Sequence, residues 1–175
     1  MAKEKITKFK WFWAWNDAEE EKWLEEMSQI GWHLEKPGFP GFYRFAKGEP
    51  RAYSYRLDFR TGSLKSLQEY MQICRDAGWE ALGRMGSWYY FRKECRGGEK
   101  PEFFSDKDSK IQKYRRLIVF LAIFLPIMLN GTRIISQREA SWAISAIGIL
   151  YIFIIAGWIF VMVRLLLRIR QLKKS

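Results

Sequence analysis

Residues 23–32 read Trp23-Leu24-Glu25-Glu26-Met27-Ser28-Gln29-Ile30-Gly31-Trp32, and 47 positions later the chain reads Tyr70-Met71-Gln72-Ile73-Cys74-Arg75-Asp76-Ala77-Gly78-Trp79. Both stretches place apolar residues at three- and four-residue steps and close on Gly-Trp. That spacing is the signature of an amphipathic helix. Gly31 and Gly78 are expected to be left-handed residues just past each helix end, with Trp32 and Trp79 folded back on Met27 and Cys74. This cap gives the paired Gly-Trp a structural reason, without a ligand. The helix starts carry side chains that can satisfy free N–H groups: Asn16 or Asp17 for the first, Ser63 or the Ser66-x-x-Glu69 box for the second.

Working outward, the match resumes at an offset of 46, with Phe42, Tyr43, Phe45 and Lys47 over Trp88, Tyr89, Phe91 and Lys93. Gly48-Glu49-Pro50 is echoed by Gly98-Glu99-Lys100-Pro101. A strand precedes each helix. Phe9, Trp11, Trp13 and Trp15 alternate with Lys8, Lys10, Phe12 and Ala14, and Tyr53, Tyr55, Leu57 and Phe59 alternate with Ser54, Arg56 and Asp58. Two short strands follow each helix, turning through residues 37–41 and 85–87. The unit is therefore βαββ, used twice, over about 7–50 and 51–106. The expected fold class is α+β: a duplicated, ferredoxin-like βαββ domain whose aromatic positions point inward, with both helices on one face of one sheet. A further edge strand is expected at Glu102-Phe103-Phe104.

Charge divides the chain at the same boundary. Residues 1–106 hold 18 Lys and Arg against 17 Asp and Glu, while residues 107–175 hold 12 against 2. The basic excess flanks long apolar runs and the first part is nearly neutral, so nucleic acid is excluded as a partner. Trp142 to Val163 is free of charge for 22 residues, about 33 Å of helix, enough for a bilayer core. Leu117 to Leu129 is also wholly apolar, and spans if Asn130, Gly131 and Thr132 enter the interface; Pro126 should kink it. The expected plan is a basic linker at 107–116, transmembrane helices at 117–136 and 141–163, and a basic tail at 164–175. Lys113, Arg115 and Arg116 precede the hairpin, and Arg164, Arg168 and Arg170 follow it. The positive-inside rule then places the protein in the cell membrane as a two-span protein with both termini cytoplasmic. The first residues lack the apolar stretch of a signal peptide. In that reducing compartment Cys74 and Cys95 are expected to be free thiols.

Catalytic constellations are missing. His33 is the sole histidine, which excludes a multi-histidine metal site or a His-based triad. Gly83-Arg84-Met85-Gly86 lacks the third glycine and helix start of a dinucleotide fingerprint. Glu19, Glu20, Glu21, Glu25 and Glu26 read as the solvated face and first turn of a helix. No enzyme and no cofactor is expected. The outward strand positions present Phe42, Arg44, Arg56, Trp88, Tyr90 and Arg92, with Lys8, Lys10 and Phe12, and arginine beside aromatics suits a protein partner or a small effector. The expected function is a membrane-anchored, non-catalytic binding or regulatory module. The alternative is an accessory subunit of a membrane complex such as a transporter, assembled through the hairpin. Self-association as a homo-oligomer is compatible with either.

Phe12-Trp13-Ala14-Trp15, Glu21-Lys22-Trp23-Leu24-Glu25-Glu26-Met27, Gly31-Trp32-His33-Leu34, Tyr53-Ser54-Tyr55-Arg56-Leu57-Asp58 and Asp76-Ala77-Gly78-Trp79-Glu80 together resemble the bacterial family known as domain of unknown function 2812. The resemblance covers roughly residues 7–116. It implies C-terminal transmembrane helices, a Gram-positive source and genes near PadR-type repressors, and it carries no active site to transfer.

Overall fold

The computed structural model describes residues 4–95, 101, 107–136 and 142–174, so the strand expected at 102–104 and the repeat counterpart at 98–100 lie outside the described residues. The chain divides into two compact units, Met1–Ser105 and Asp106–Ser175. In the first, β1 (Lys5–Phe9), α1 (Asp17–Gln29), β2 (Trp32–Gly38) and β3 (Phe42–Lys47) are followed by β4 (Tyr53–Phe59), α2 (Leu64–Asp76), β5 (Glu80–Met85) and β6 (Trp88–Glu94). The strands form two antiparallel sheets of three, ordered β1-β3-β2 and β4-β6-β5, in place of the single sheet expected. Each sheet slips register once, between Leu34 and Lys36 on β2 and between Ala81 and Gly83 on β5. The skipped residues, Glu35 and Leu82, stand at the same offset as the paired helices.

The helix ends obey the spacing argument. Gly31 and Gly78 have φ of 81° and 80°, a left-handed conformation that costs a side-chain-bearing residue about 1–2 kcal/mol. At α2 the Gly78 N–H donates to the Arg75 carbonyl (2.8 Å) and the Trp79 N–H to the Cys74 carbonyl (2.9 Å), the two bonds of a Schellman cap. At α1 the Gly31 N–H donates to the Ser28 carbonyl at 3.0 Å. Ser63 Oγ accepts from the Ser66 N–H at 3.3 Å and so caps α2. The Asn16 side chain instead turns to the Glu19 carboxylate, 2.8 Å away.

The two helices do not share a face. Leu24 and Met27 of α1 pack with Leu34, Tyr43 and Phe45 of the first sheet and with Tyr55, Leu57 and Tyr90 of the second. Tyr70 and Cys74 of α2 pack on Tyr89 and Phe91, the opposite side of the second sheet. Consecutive large aromatics, Tyr89-Tyr90-Phe91, put apolar surface on both faces of β6, and only cover on both sides can bury it. Each fully buried side chain of this size contributes about 1.5–3 kcal/mol.

On β1 the expected phase is inverted. Ile6 and Phe12 pack on the core, while Phe9, Trp11 and Trp13 are exposed. The strand also ends early. Lys10 N–H still reaches the Gly41 carbonyl (2.9 Å), but β3 begins at Phe42, so no ladder partner remains beyond that point. The chain turns through Trp13–Asn16 into α1, and of the aromatics expected inward only Trp15 is buried.

The second unit is α3 (Lys107–Ala122), α4 (Leu125–Ser136) and α5 (Trp142–Lys174). The expected kink is a break: a turn at Ile123 and Phe124 separates the helices, and Pro126 lies in the first turn of α4, where a missing N–H costs nothing. α5 packs along α3 and α4, and its Tyr151 Oη donates to the Met128 carbonyl at 2.5 Å. Lys110–Gly131 and Ile144–Lys174 are helical segments long and apolar enough to cross a membrane. Lys113, Arg115 and Arg116 lie on α3 and Arg164, Arg168 and Arg170 on α5, so both basic flanks are helical.

Candidate functional site

The acidic run on α1 is a solvated face only in part: Glu19 and Glu26 are exposed, as expected, but the others are not. Asp17, Glu20 and Glu25 are buried, and Glu21 is largely covered. Glu20 Oε1 accepts from Tyr43 Oη at 2.7 Å and from Tyr90 Oη at 2.6 Å, one phenol from each sheet. Burial pushes the Glu20 carboxyl above its ordinary range, more than the two phenol bonds pull it down, and nearby Asp17 adds to the rise. Burial beside that carboxylate also raises both tyrosines. Glu21 Oε1 accepts from the Leu57 backbone N–H at 2.8 Å and so closes the open edge of β4. Glu21 and Glu25 together hold Arg56 Nη1 at 3.4 and 3.3 Å. The signal was present in the spacing: residues 17, 20, 24 and 27 make one helical stripe, and two of its four members are acids. The cluster is sealed in the core, which makes it architecture rather than a place for a ligand.

The six residues expected to share a surface are dispersed by the two-sheet arrangement. Phe42 and Arg44 are exposed on the outer face of the first sheet. Tyr90 is 1% exposed, against the expectation that it faces a partner, because α1 covers its side of the second sheet. Arg56 is engaged by the α1 acids. Trp88 is partly buried, with its ring 5.5 Å from that of Phe59. Arg92 alone of the six opens into a groove.

That groove, of about 690 Å³, lies between the two sheets and is lined by His33 and Leu34 of β2, Lys47 of β3, Arg51, Tyr53 of β4 and Arg92 of β6, among others. The Arg92 guanidinium lies 4.8 Å from the Tyr53 ring centre and is forked onto Glu80 at 2.8 and 3.1 Å. His33 stands edge-on to Tyr53 at 5.3 Å, and its Nε2 donates to the Glu49 carbonyl at 2.8 Å, so the ring is fixed in orientation. Gly48 presses on that ring: a Cβ there would lie 2.9 Å from His33 Cδ2. Lys47 and Arg51 also line the groove, the Lys47 ammonium lying 4.5 Å from the Trp32 ring centre and Arg51 3.1 Å from Glu94. Such a wall offers an aromatic surface and cations whose present partners are carboxylates, alongside Glu35 and Glu49, and suits a planar molecule whose acidic group can exchange with those ion pairs. Sequence reasoning missed His33, Tyr53, Lys47 and Arg51 as a set, since they converge only when the halves pack together. Among the described residues no group of three or more His, Cys, Asp or Glu is placed to hold a metal ion.

No curated protein and no solved structure matches the chain. The model of one family, described as Protein of unknown function (DUF2812), matches residues 16–126, from the start of α1 through β6 into the first apolar helices. That span is most of the chain, and the protein belongs to this family.

Proposed function

We propose that the protein is a membrane-anchored, non-catalytic binding module, in which a domain built by duplication of a ferredoxin-like βαββ unit faces the cytosol and recognises a small effector or partner group in the groove at Tyr53 and Arg92. The observation that carries this reading is the convergence of His33, Tyr53 and Arg92, from both halves, on one open groove. The duplication is supported by the matched sheet orders, bulges and glycine caps. Anchoring as a two-span hairpin with cytoplasmic termini is supported by the apolar lengths of the two segments and by basic residues at their outer ends.

The test is a thermal-shift screen of the full chain in detergent against aromatic carboxylates and inorganic phosphate, with Arg92→Ala, Tyr53→Ala and Arg44→Ala alongside. A hit abolished by the first two changes and kept by the third supports the groove. Hits insensitive to Arg92 and Tyr53 would sink it. An accessory-subunit reading has its own support, since the apolar surface of α5 is largely uncovered by its neighbours. Replacing residues 117–163 with an unrelated hairpin separates the two: the groove reading keeps effector binding and partner response, and the subunit reading loses both.

A further inference from the structure

The phase inversion on β1 leaves an aromatic ridge in solvent. Phe39 is 82% exposed, Phe9 60%, Trp11 54%, Trp13 49% and Phe42 45%. Phe9, Phe42 and Phe39 belong together: the rings of Phe9 and Phe42 are 5.1 Å apart, and Lys10 N–H bonds the Gly41 carbonyl in the turn that bears Phe39. Trp11 meets Trp13 edge-on at 5.8 Å, and both line a cleft beside α1 with Glu19, Lys22 and Glu26. Trp13 is stacked at 5.1 Å and 3° on the buried Trp15, so the ridge is held in shape before anything binds. Exposed apolar patches of this kind mark a surface that is covered in use.

The charges beside the ridge choose the cover. On the same outer face, the strand register places Phe9 opposite Phe42, then Thr7, Arg44 and Lys36 in the next row. Arg44 and Lys36 are exposed, and Glu35 near them is bonded to Lys5, with its carboxyl held below the ordinary range by Lys5 and further by the charge of Arg44. Exposed phenylalanines with a row of cations behind them are the arrangement of surfaces that sit at the headgroup level of anionic leaflets, where apolar rings enter the interface and Lys or Arg meets lipid phosphate. We propose that the outer face of the first sheet docks on an anionic phospholipid surface, with Phe39, Phe9 and Phe42 at headgroup depth and Lys36 and Arg44 on lipid phosphates. The inference draws on the anchored reading, because tethering by the apolar helices supplies the high local concentration that lets a modest patch engage.

The experiment uses the full chain with Cys95→Ser, Cys74 being buried, and a single added thiol, Phe39→Cys, carrying an environment-sensitive fluorophore. In nanodiscs containing anionic lipid the probe shifts to the blue and is quenched by spin-labelled lipid; in purely zwitterionic discs or at high salt it is not. Lys36→Glu with Arg44→Glu weakens docking about fivefold or more per charge. Absence of lipid quenching in anionic discs overturns the proposal, as does shielding of the probe in native membranes but not in pure lipid, which would mean that a protein covers the face. If the chain fails to enter nanodiscs, the anchoring reading fails separately. Mixing the same labelled protein with anionic vesicles then tests the ridge alone, and vesicle binding lost on charge reversal sustains it while absence of binding overturns it.

Discussion

The Tyr90 hydroxyl lies 2.6 Å from Oε1 of Glu20, 70 residues earlier in the chain, and through that bond the central helix is fastened to the last strand of the second sheet. Tyr43 closes the same oxygen from the first sheet. One buried carboxylate therefore joins both halves.

Glu20→Ala leaves two buried phenols without their acceptor and should cost about 2–5 kcal/mol. Glu20→Gln keeps an acceptor oxygen and should cost far less. The check is the urea dependence of Cys74 labelling in the full chain, which reports opening of the first unit.

The same pair gives a pH signature. Glu20 titrates above its ordinary value of 4.5 in the folded protein, so the folded state binds that proton more tightly than the unfolded one. Its contribution to stability is fully present below the ordinary value and is lost as pH rises through the raised one. Stability measured from about pH 4.5 upward should contain a falling component in the wild type that Glu20→Gln removes. An unchanged profile in the variant would assign the slope to other groups.

Gly31 and Gly78 share a conformation but not surroundings. A Cβ on Gly31 would lie 2.5 Å from the Gly48 carbonyl oxygen, a backbone atom, whereas on Gly78 it meets only the flexible end of Lys93 at 3.5 Å. Gly78→Ala should cost about 1–2 kcal/mol, the left-handed penalty alone. Gly31→Ala should cost clearly more, because the β3–β4 connection must also move. Comparing the two thermal midpoints decides it, and equal losses would refute the steric account.

Neither cysteine is in a disulfide; Cys74 is buried and Cys95 partly exposed. Burial pushes the Cys74 thiol up, which lowers its reactive fraction as well as its access. A thiol reagent should modify Cys95 promptly and Cys74 only as fast as the domain opens, with mass spectrometry after trypsin reading each site. Tyr70→Phe should speed Cys74 labelling, because Tyr70 Oη donates to buried Asp58 at 2.7 Å and pins α2 to the second sheet.

Much was legible locally. Apolar steps of three and four residues located both helices in this unit, the Gly-Trp pairs located their ends, and charge-free runs located the apolar helices, because each is set by neighbours within a turn or two. Alternation on β1 misled for a physical reason: a period of two says that two faces differ, not which one is inward, and a strand of aromatics can turn either side to solvent. The acids of α1 were misread because a glutamate on a buried stripe is stable only if distant phenols and an arginine meet it, and those lie 23 to 70 residues away.

By itself the sequence determined the repeated βαββ order, the glycine ends of both helices, the Ser63 cap of α2 and the segregation of apolar, basic segments behind a nearly neutral domain, since short-range sterics and composition govern all of these. Only the tertiary structure decided that the strands divide into two sheets with α1 between them, that Glu20 lies sealed between two tyrosines, and that Tyr53 and Arg92 open into a groove while the tryptophans of residues 11–13 face out. Those outcomes depend on which distant surfaces bury one another, and the free energy of that choice belongs to the packed whole rather than to any segment.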